Sequence, residues 1–210
     1  MYPEKVNHYP GKLIAFEGID RAGKSSAVGM LPALLEGCNV PIISLGEKRS
    51  PFKALLTGEA LKTASPFLKT YLFATDRAWT YEMECLPALK RGELVLWDRY
   101  VDSAIVYRSV ELRCYCSIID LDFVKDINSP FIQPNLTFYL KINKETFLSR
   151  QQPGSMNEPY NYDFLEQVEK EYDALADLPK YIVVNAKHSP EEVAGEIADI
   201  IRREIKELFI

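Results

Sequence analysis

Residues Gly18-Ile19-Asp20-Arg21-Ala22-Gly23-Lys24-Ser25 meet every fixed position of the pattern G-x-x-x-x-G-K-[ST]. Glycines at the bends let the backbone curl until successive N–H groups point at phosphate oxygens. Lys24 brings a compact positive charge to the outer phosphates of a nucleoside triphosphate, and Ser25 offers a hydroxyl to Mg2+. Ser26 follows in a helix whose N-terminal dipole also favours anions. The run from Gly18 to Ser26 is therefore expected to bind the phosphate chain of a nucleoside triphosphate. Arg21 adds a cation that phosphate binding does not require, placed near the group being transferred. Charge stabilisation is most of what catalysis of phosphoryl transfer asks for.

A second constellation is Trp97-Asp98-Arg99-Tyr100, directly after the apolar run Leu94-Val95-Leu96. A carboxylate at Asp98 can organise Mg2+-bound water or orient a phosphate-binding cation. The Arg99 guanidinium can clamp an acceptor phosphate and the phosphoryl group in flight. Alone, such a pair reads as a local salt bridge; beside a phosphate loop it reads as machinery. Lys24, Arg21, Asp98 and Arg99 form the expected catalytic set. Ser25 and Asp98 are the expected Mg2+ residues, directly or through water.

Both constellations need a scaffold that brings strand ends together. Short, continuously apolar runs predict strands at Leu13–Phe16, Val40–Leu45, Leu94–Trp97, Leu136–Ile142 and Tyr181–Val184. Runs of this kind belong to strands covered on both faces. Helices are expected from the phosphate loop towards Glu36, with Pro32 kinking or dividing the first, and from Ser65-Pro66 to about Lys90. Further helices are expected over 120–128, 144–150, 161–176 and 190–208. Alternating strands and helices imply βαβ units, hence an α/β fold with a mainly parallel five-stranded sheet between helical layers. Ligands of such sheets sit at the carboxyl ends of the strands, where all these residues fall.

The 210 residues are expected to form one domain, since the chain is long enough to bury a core unaided. Thirty acidic against 25 basic side chains leave a formal charge of −5, which argues against nucleic acid as the main partner. Cys38, Cys85, Cys114 and Cys116 match no zinc spacing and read as thiols in a reducing compartment. The opening MYPEKVNHYPGK has no apolar core, and no later run approaches the ~20 apolar residues of a membrane span, so a cytoplasmic protein is expected.

Three segments, FEGIDRAGKSS (16–26), YLFATDRAWTYE (71–82) and WDRYVDSAIVY (97–107), resemble the thymidylate kinase family in order and spacing. The resemblance implies a P-loop kinase that phosphorylates dTMP with ATP and Mg2+, with a short lid at about 150–162. An arginine in the phosphate loop is similar to the class that carries its catalytic arginine there rather than in the lid. By the same resemblance Phe73 stacks on the acceptor base and Arg77 binds its carbonyl edge. Asp20 meets the sugar hydroxyl, Tyr107 lies against the deoxyribose, and Arg99 and Arg49 hold the acceptor phosphate, with Lys48 the rival of Arg49. Tyr160 in the lid also belongs to the acceptor side, Arg150 stacks on adenine, and Ala186 meets it through backbone groups. Relatives of this kind are commonly homodimers packed through helices.

The chain departs from that pattern in three places. Gly46-Glu47-Lys48-Arg49-Ser50 replaces a Pro-Glu-Arg or Arg-Glu-Pro element. The lid sequence from Gln151 to Tyr162 has no Lys or Arg, with Pro159 between Glu158 and Tyr160, and Arg108 replaces a polar residue beside the base. Two other readings therefore stay open at the level of sequence: a kinase with another deoxynucleotide or nucleoside as acceptor, and a P-loop protein that binds nucleotide without turnover. Asp-Arg-Tyr after the third strand, where a switch would carry Asp-Glu or Asp-x-x-Gly, favours a kinase.

Overall fold

The computed structural model describes residues 5–115, 122–150, 161–178 and 180–209. Five strands, β1 (Lys12–Glu17), β2 (Ile42–Gly46), β3 (Leu94–Asp98), β4 (Leu136–Lys141) and β5 (Tyr181–Asn185), form one sheet in the order β2-β3-β1-β4-β5. Every neighbouring pair is parallel. All the strand carboxyl ends therefore lie on one edge. The register sets Phe16 and Gly46 level with Asp98, so the turns after β1, β2 and β3 emerge side by side.

Along β1, residues of opposite parity enter different cores. Ile14 and Phe16 join Val28, Leu31, Ile197 and Ile201 in one cluster, while Leu13 and Ala15 join Trp97, Leu89 and Tyr100 in another. Burial on both faces explains the continuous apolar character of the strand.

The helices are α1 (Lys24–Leu34), α2 (Gly58–Thr63), α3 (Pro66–Thr80), α4 (Leu86–Arg91), α5 (Val101–Tyr115), α6 (Asp122–Asn128), α7 (Lys144–Ser149), α8 (Tyr162–Ala176) and α9 (Pro190–Glu204). Their starts are chemically legible. Ser65, Asn143, Asn161 and Ser189 each cap a first-turn N–H, and Ser189 with Glu192 makes a reciprocal capping box.

Several boundaries differ from expectation. Helix α1 stays one element through Pro32, which lies on its exposed side, and stops at Leu34. Strand β2 begins at Ile42, because Pro41 has no N–H to donate; its carbonyl accepts from Leu94 at 2.9 Å. The helix expected to run to Lys90 is interrupted by a π-helical turn at Tyr81–Cys85, just before Pro87. The wider turn accommodates a residue that can neither donate to the preceding turn nor fit closely over it. The last helix ends at Glu204, followed by a 3-10 turn at Lys206–Leu208. Helix α5 was not expected at all: Asp102–Ala104 and Val106–Leu112 are buried, so no polar face marks its period. Among the described residues, no helix is long and apolar enough to cross a membrane.

Candidate active site

The phosphate loop is a strand-to-helix turn whose backbone requires its glycines. Gly18 has φ 140°, and a Cβ there would meet the Leu140 carbonyl oxygen at 2.6 Å. Gly23, with φ 95°, is the residue from which α1 starts, and no side chain caps that helix end. Its first N–H groups are thus available to an anion. Lys24 is buried and donates to the carbonyls of Gly18 at 3.0 Å and Ile19 at 2.7 Å. Burial first, and repulsion from Arg99 second, pull its ammonium down to about 8, against the opposing pull of Asp98, Asp20 and Glu17. A phosphate oxygen is a stronger partner for that group than a carbonyl. Ser25 and Ser26 are exposed on the first turn of α1.

Asp98 ends β3 opposite this loop. Its Oδ2 accepts from the Ser25 hydroxyl, while its Oδ1 is buried without a hydrogen-bond partner among the described residues. A hydroxyl beside a carboxylate with one uncommitted oxygen is the hard-oxygen donor set of a Mg2+ site that takes its remaining ligands from phosphate and water. These residues fit the ion that the phosphate loop implies.

Arg99 is held at φ 63°, a conformation non-glycine residues seldom adopt. Its N–H donates to the Phe16 carbonyl at 3.0 Å, its guanidinium pairs with Asp20 and reaches Gly18 O at 3.4 Å. The same guanidinium lies 5.2 Å from the Tyr107 ring centroid. A narrow cleft runs from Arg99 between Gly46, Glu47, Phe73, Asp76, Arg77 and Trp97. Arg99, Phe73 and Arg77 thereby line one space, and Asp20 and Tyr107 join it only through their contacts with Arg99. Arg77 is buried and donates to Asn128 at 2.7 Å, which fixes its head group. Phe73 is half-buried, with the Arg108 guanidinium 5.2 Å from its ring and Arg108 itself paired with Glu111.

Arg49 lies apart from this group. It is paired with Glu84 at 2.9 Å, donates to Ser44 O at 3.3 Å and does not line the cleft. Lys48, its rival, has φ 61° and gives its N–H to Asp76 at 2.8 Å.

On the donor side, the Arg21 guanidinium sits 4.3 Å over the Phe147 ring and donates to the Phe147 carbonyl at 3.1 Å. Arg150 bridges two loops: it donates to Arg21 O at 3.0 Å, Ala186 O at 2.7 Å and His188 O at 3.1 Å. It thereby ties the phosphate loop to the turn after β5, with Ala186 fully buried between them. Tyr160, Glu158 and the lid between 151 and 160 lie outside the described residues, as does Cys116.

Three contributors escaped the sequence reading. Asp76 accepts the N–H groups of Lys48 at 2.8 Å and Ser50 at 3.2 Å, shaping one wall of the cleft. Asn128 fixes Arg77, and Glu17 is a fully buried carboxyl under the Arg99 turn. Asp76 and Glu17 each adjoin a residue already singled out, Arg77 and Gly18. Asn128 carried no signal, because only the packing of α6 on α3 brings it near.

A family model described as thymidylate kinase matches residues 16–197. The chain is 33% identical to a probable thymidylate kinase of Pyrobaculum aerophilum over 197 residues, 92% of this chain and 97% of the relative. It is 35% identical over 199 residues to a probable thymidylate kinase of Methanoculleus marisnigri, covering 90% and 94%. With a thymidylate kinase of Thermoanaerobacter sp. the identity is 29% over 208 residues, covering 92% and 98%.

Proposed function

The chain belongs to the thymidylate kinase family, and from that premise we propose that it transfers the γ-phosphoryl group of ATP to the phosphate of dTMP, yielding dTDP and ADP on the way to dTTP. The observation that carries this reading is Arg99: it is bonded to Asp20 of the phosphate loop and lines the cleft that holds Phe73 and Arg77. Donor and acceptor elements thus meet at one guanidinium.

In this reading the backbone from Gly18 to Ser26 and the Lys24 ammonium hold the donor phosphates, with Arg150 and the Ala186 turn receiving the adenine. Arg99 holds the acceptor phosphate in line with the γ-phosphoryl group. Phe73 stacks on the base, the Arg77 donors meet its carbonyl edge, Tyr107 packs against the deoxyribose and Asp20 takes the sugar hydroxyl. An acceptor phosphate oxygen is already anionic, so no general base is needed. Arg21 and Arg99 balance the charge that spreads over the transferring group. For Arg21 this requires leaving the Phe147 ring, a side-chain rotation of the nanosecond kind. Ser25 and Asp98 would hold Mg2+, which when bound neutralises the donor phosphate oxygens. Arg49, engaged by Glu84, has no part in this assignment.

The whole chain is read as one kinase domain, acting in the cytoplasm. A homodimer is part of the proposal, supported by Phe67, Leu68 and Tyr71, all exposed on α3, with Phe123 stacked on Phe67 at 5.5 Å between centroids.

Steady-state ADP formation from Mg-ATP with dTMP, dUMP, dCMP, dGMP or thymidine tests the reading. Rates with dTMP far above the others support it. Preference for another acceptor, or nucleotide binding without acceptor-dependent turnover, would refute it.

A further inference from the structure

Resting on the proposed transfer to dTMP, we propose that Glu17 is a positioning residue for the acceptor arginine, its carboxyl group fixing the turn that aims Arg99 into the cleft. Glu17 is the last residue of β1 and has no exposed surface. Its Oε1 accepts the N–H of Tyr100 at 3.0 Å. Its Oε2 accepts from the Ser103 hydroxyl and from the Tyr172 hydroxyl at 3.2 Å, and those two hydroxyls lie 2.8 Å apart. The N–H of Arg99 itself goes to the carbonyl of Phe16, at 3.0 Å. Consecutive residues of β1 therefore hold consecutive N–H groups, one on Arg99 and one just after it.

Such a strap is what Arg99 needs. A non-glycine residue at φ 63° persists only where its surroundings over-determine it. Tyr100 anchors the far side of the turn by donating to Ile132 O at 3.0 Å, and Ser103 ties the first turn of α5 to the same carboxyl. Packing alone does not account for the residue. An apolar side chain would fill the space without burying a carboxyl, which the chain does at a cost in stability. Glu17 also differs from its neighbour Asp102, whose carboxylate accepts from the Tyr181 hydroxyl and so braces α5 against β5 without touching the Arg99 turn.

Two substitutions separate reach from charge. Glu17→Asp keeps the charge but withdraws the carboxyl by about 1.5 Å. Glu17→Gln keeps an oxygen in reach of the Tyr100 N–H and drops the charge. With dTMP, Glu17→Asp is expected to lose about 10- to 100-fold in kcat, as a misplacement of about 1 Å does, with KM for ATP nearly unchanged. Glu17→Gln is expected to stay within about threefold of the unmutated enzyme. In an Arg99→Ala background the Glu17→Asp loss should vanish, because its path runs through Arg99. A Gln variant as impaired as the Asp variant, or an Asp loss undiminished without Arg99, overturns the proposal, as does a lowered Tm with unchanged kcat per folded molecule.

The Arg99 Nε–Hε resonance supplies a readout apart from turnover. It should move in Glu17→Asp and hold in Glu17→Gln, and the reverse or no movement in either refutes positioning. An unmutated enzyme that leaves dTMP untouched would defeat the proposed activity, while this resonance still decides the role of Glu17. Should Glu17→Asp fail to fold, Glu17→Gln decides alone: loss of the native resonance in a folded Gln variant overturns the proposal, and retention sustains it.

Discussion

Glu17 also makes a prediction about stability and pH. Burial first, then repulsion from Asp102, raise its carboxyl from 4.5 to about 7, against the hydrogen bonds from Ser103 and Tyr100 and the charge of Arg99. Folding therefore takes up a proton between those values. The stability this group contributes is complete below about pH 4.5 and is lost as pH rises through about 7. The rise corresponds to about 3 kcal/mol in full, most of which falls between pH 5 and pH 8. Glu17→Gln cannot ionise and escapes that loss. Urea unfolding of both proteins at pH 5 and pH 8 should show the difference in unfolding free energy moving by about 2–3 kcal/mol in favour of the Gln variant at the higher pH. In thermal melts the same change is about 5–10 °C for a chain of this size. A difference between the two proteins that stays constant from pH 5 to pH 8 would refute the reasoning. So would one that moves the opposite way.

Other perturbations reach separate parts of the site. Gly18→Ala sets a methyl 2.6 Å from the Leu140 carbonyl oxygen at a φ of 140°, and should cost about 1–3 kcal/mol of stability and abolish ATP binding, read by denaturation and calorimetric titration. Arg21→Ala should lower kcat by about 100-fold or more while the Kd for ATP changes by less than about threefold; equal losses in both would remove its catalytic role. Asp98→Asn weakens the oxygen set shared with Ser25, so the Mg2+ concentration for half-maximal rate should rise about 10-fold or more. An unchanged Mg2+ dependence would exclude Asp98 from the site.

What the chain announces in advance is what depends on local pattern. The phosphate loop is contiguous, its glycines are required by the loop's own φ values, and the inner strands β1, β3 and β4 advertise burial on both faces through their apolar runs. The edge strands β2 and β5 were expected to be covered alike, yet β2 is mostly half-buried and β5 leaves Val183 exposed, because an edge strand lacks a neighbour on one side. Asp98 and Ser25 could be named from the sequence as expected Mg2+ residues at one sheet edge, whereas their direct hydrogen bond is seen only in the structure. Helix α5 was illegible because it is buried almost all round, leaving no period to read. The partner of Arg49 depends on a π-helical turn that brings Glu84 opposite it, which no spacing in the chain foretells. Arg21 reads as a phosphate ligand from its position, yet its guanidinium rests on Phe147, 126 residues away. Charges on loops are the hardest to place, since their partners come from distant segments.

The central claim is a transfer between two nucleotides held at Arg99, and isotope tracing tests it most directly. Mg-ATP labelled in the γ-phosphoryl group is mixed with dTMP and excess enzyme, and the products are separated in a single turnover. Transfer predicts that the label appears in dTDP, one for each ADP formed, and that Arg99→Ala slows its appearance. Label released as inorganic phosphate, or retained in ATP while dTMP is present, would contradict it.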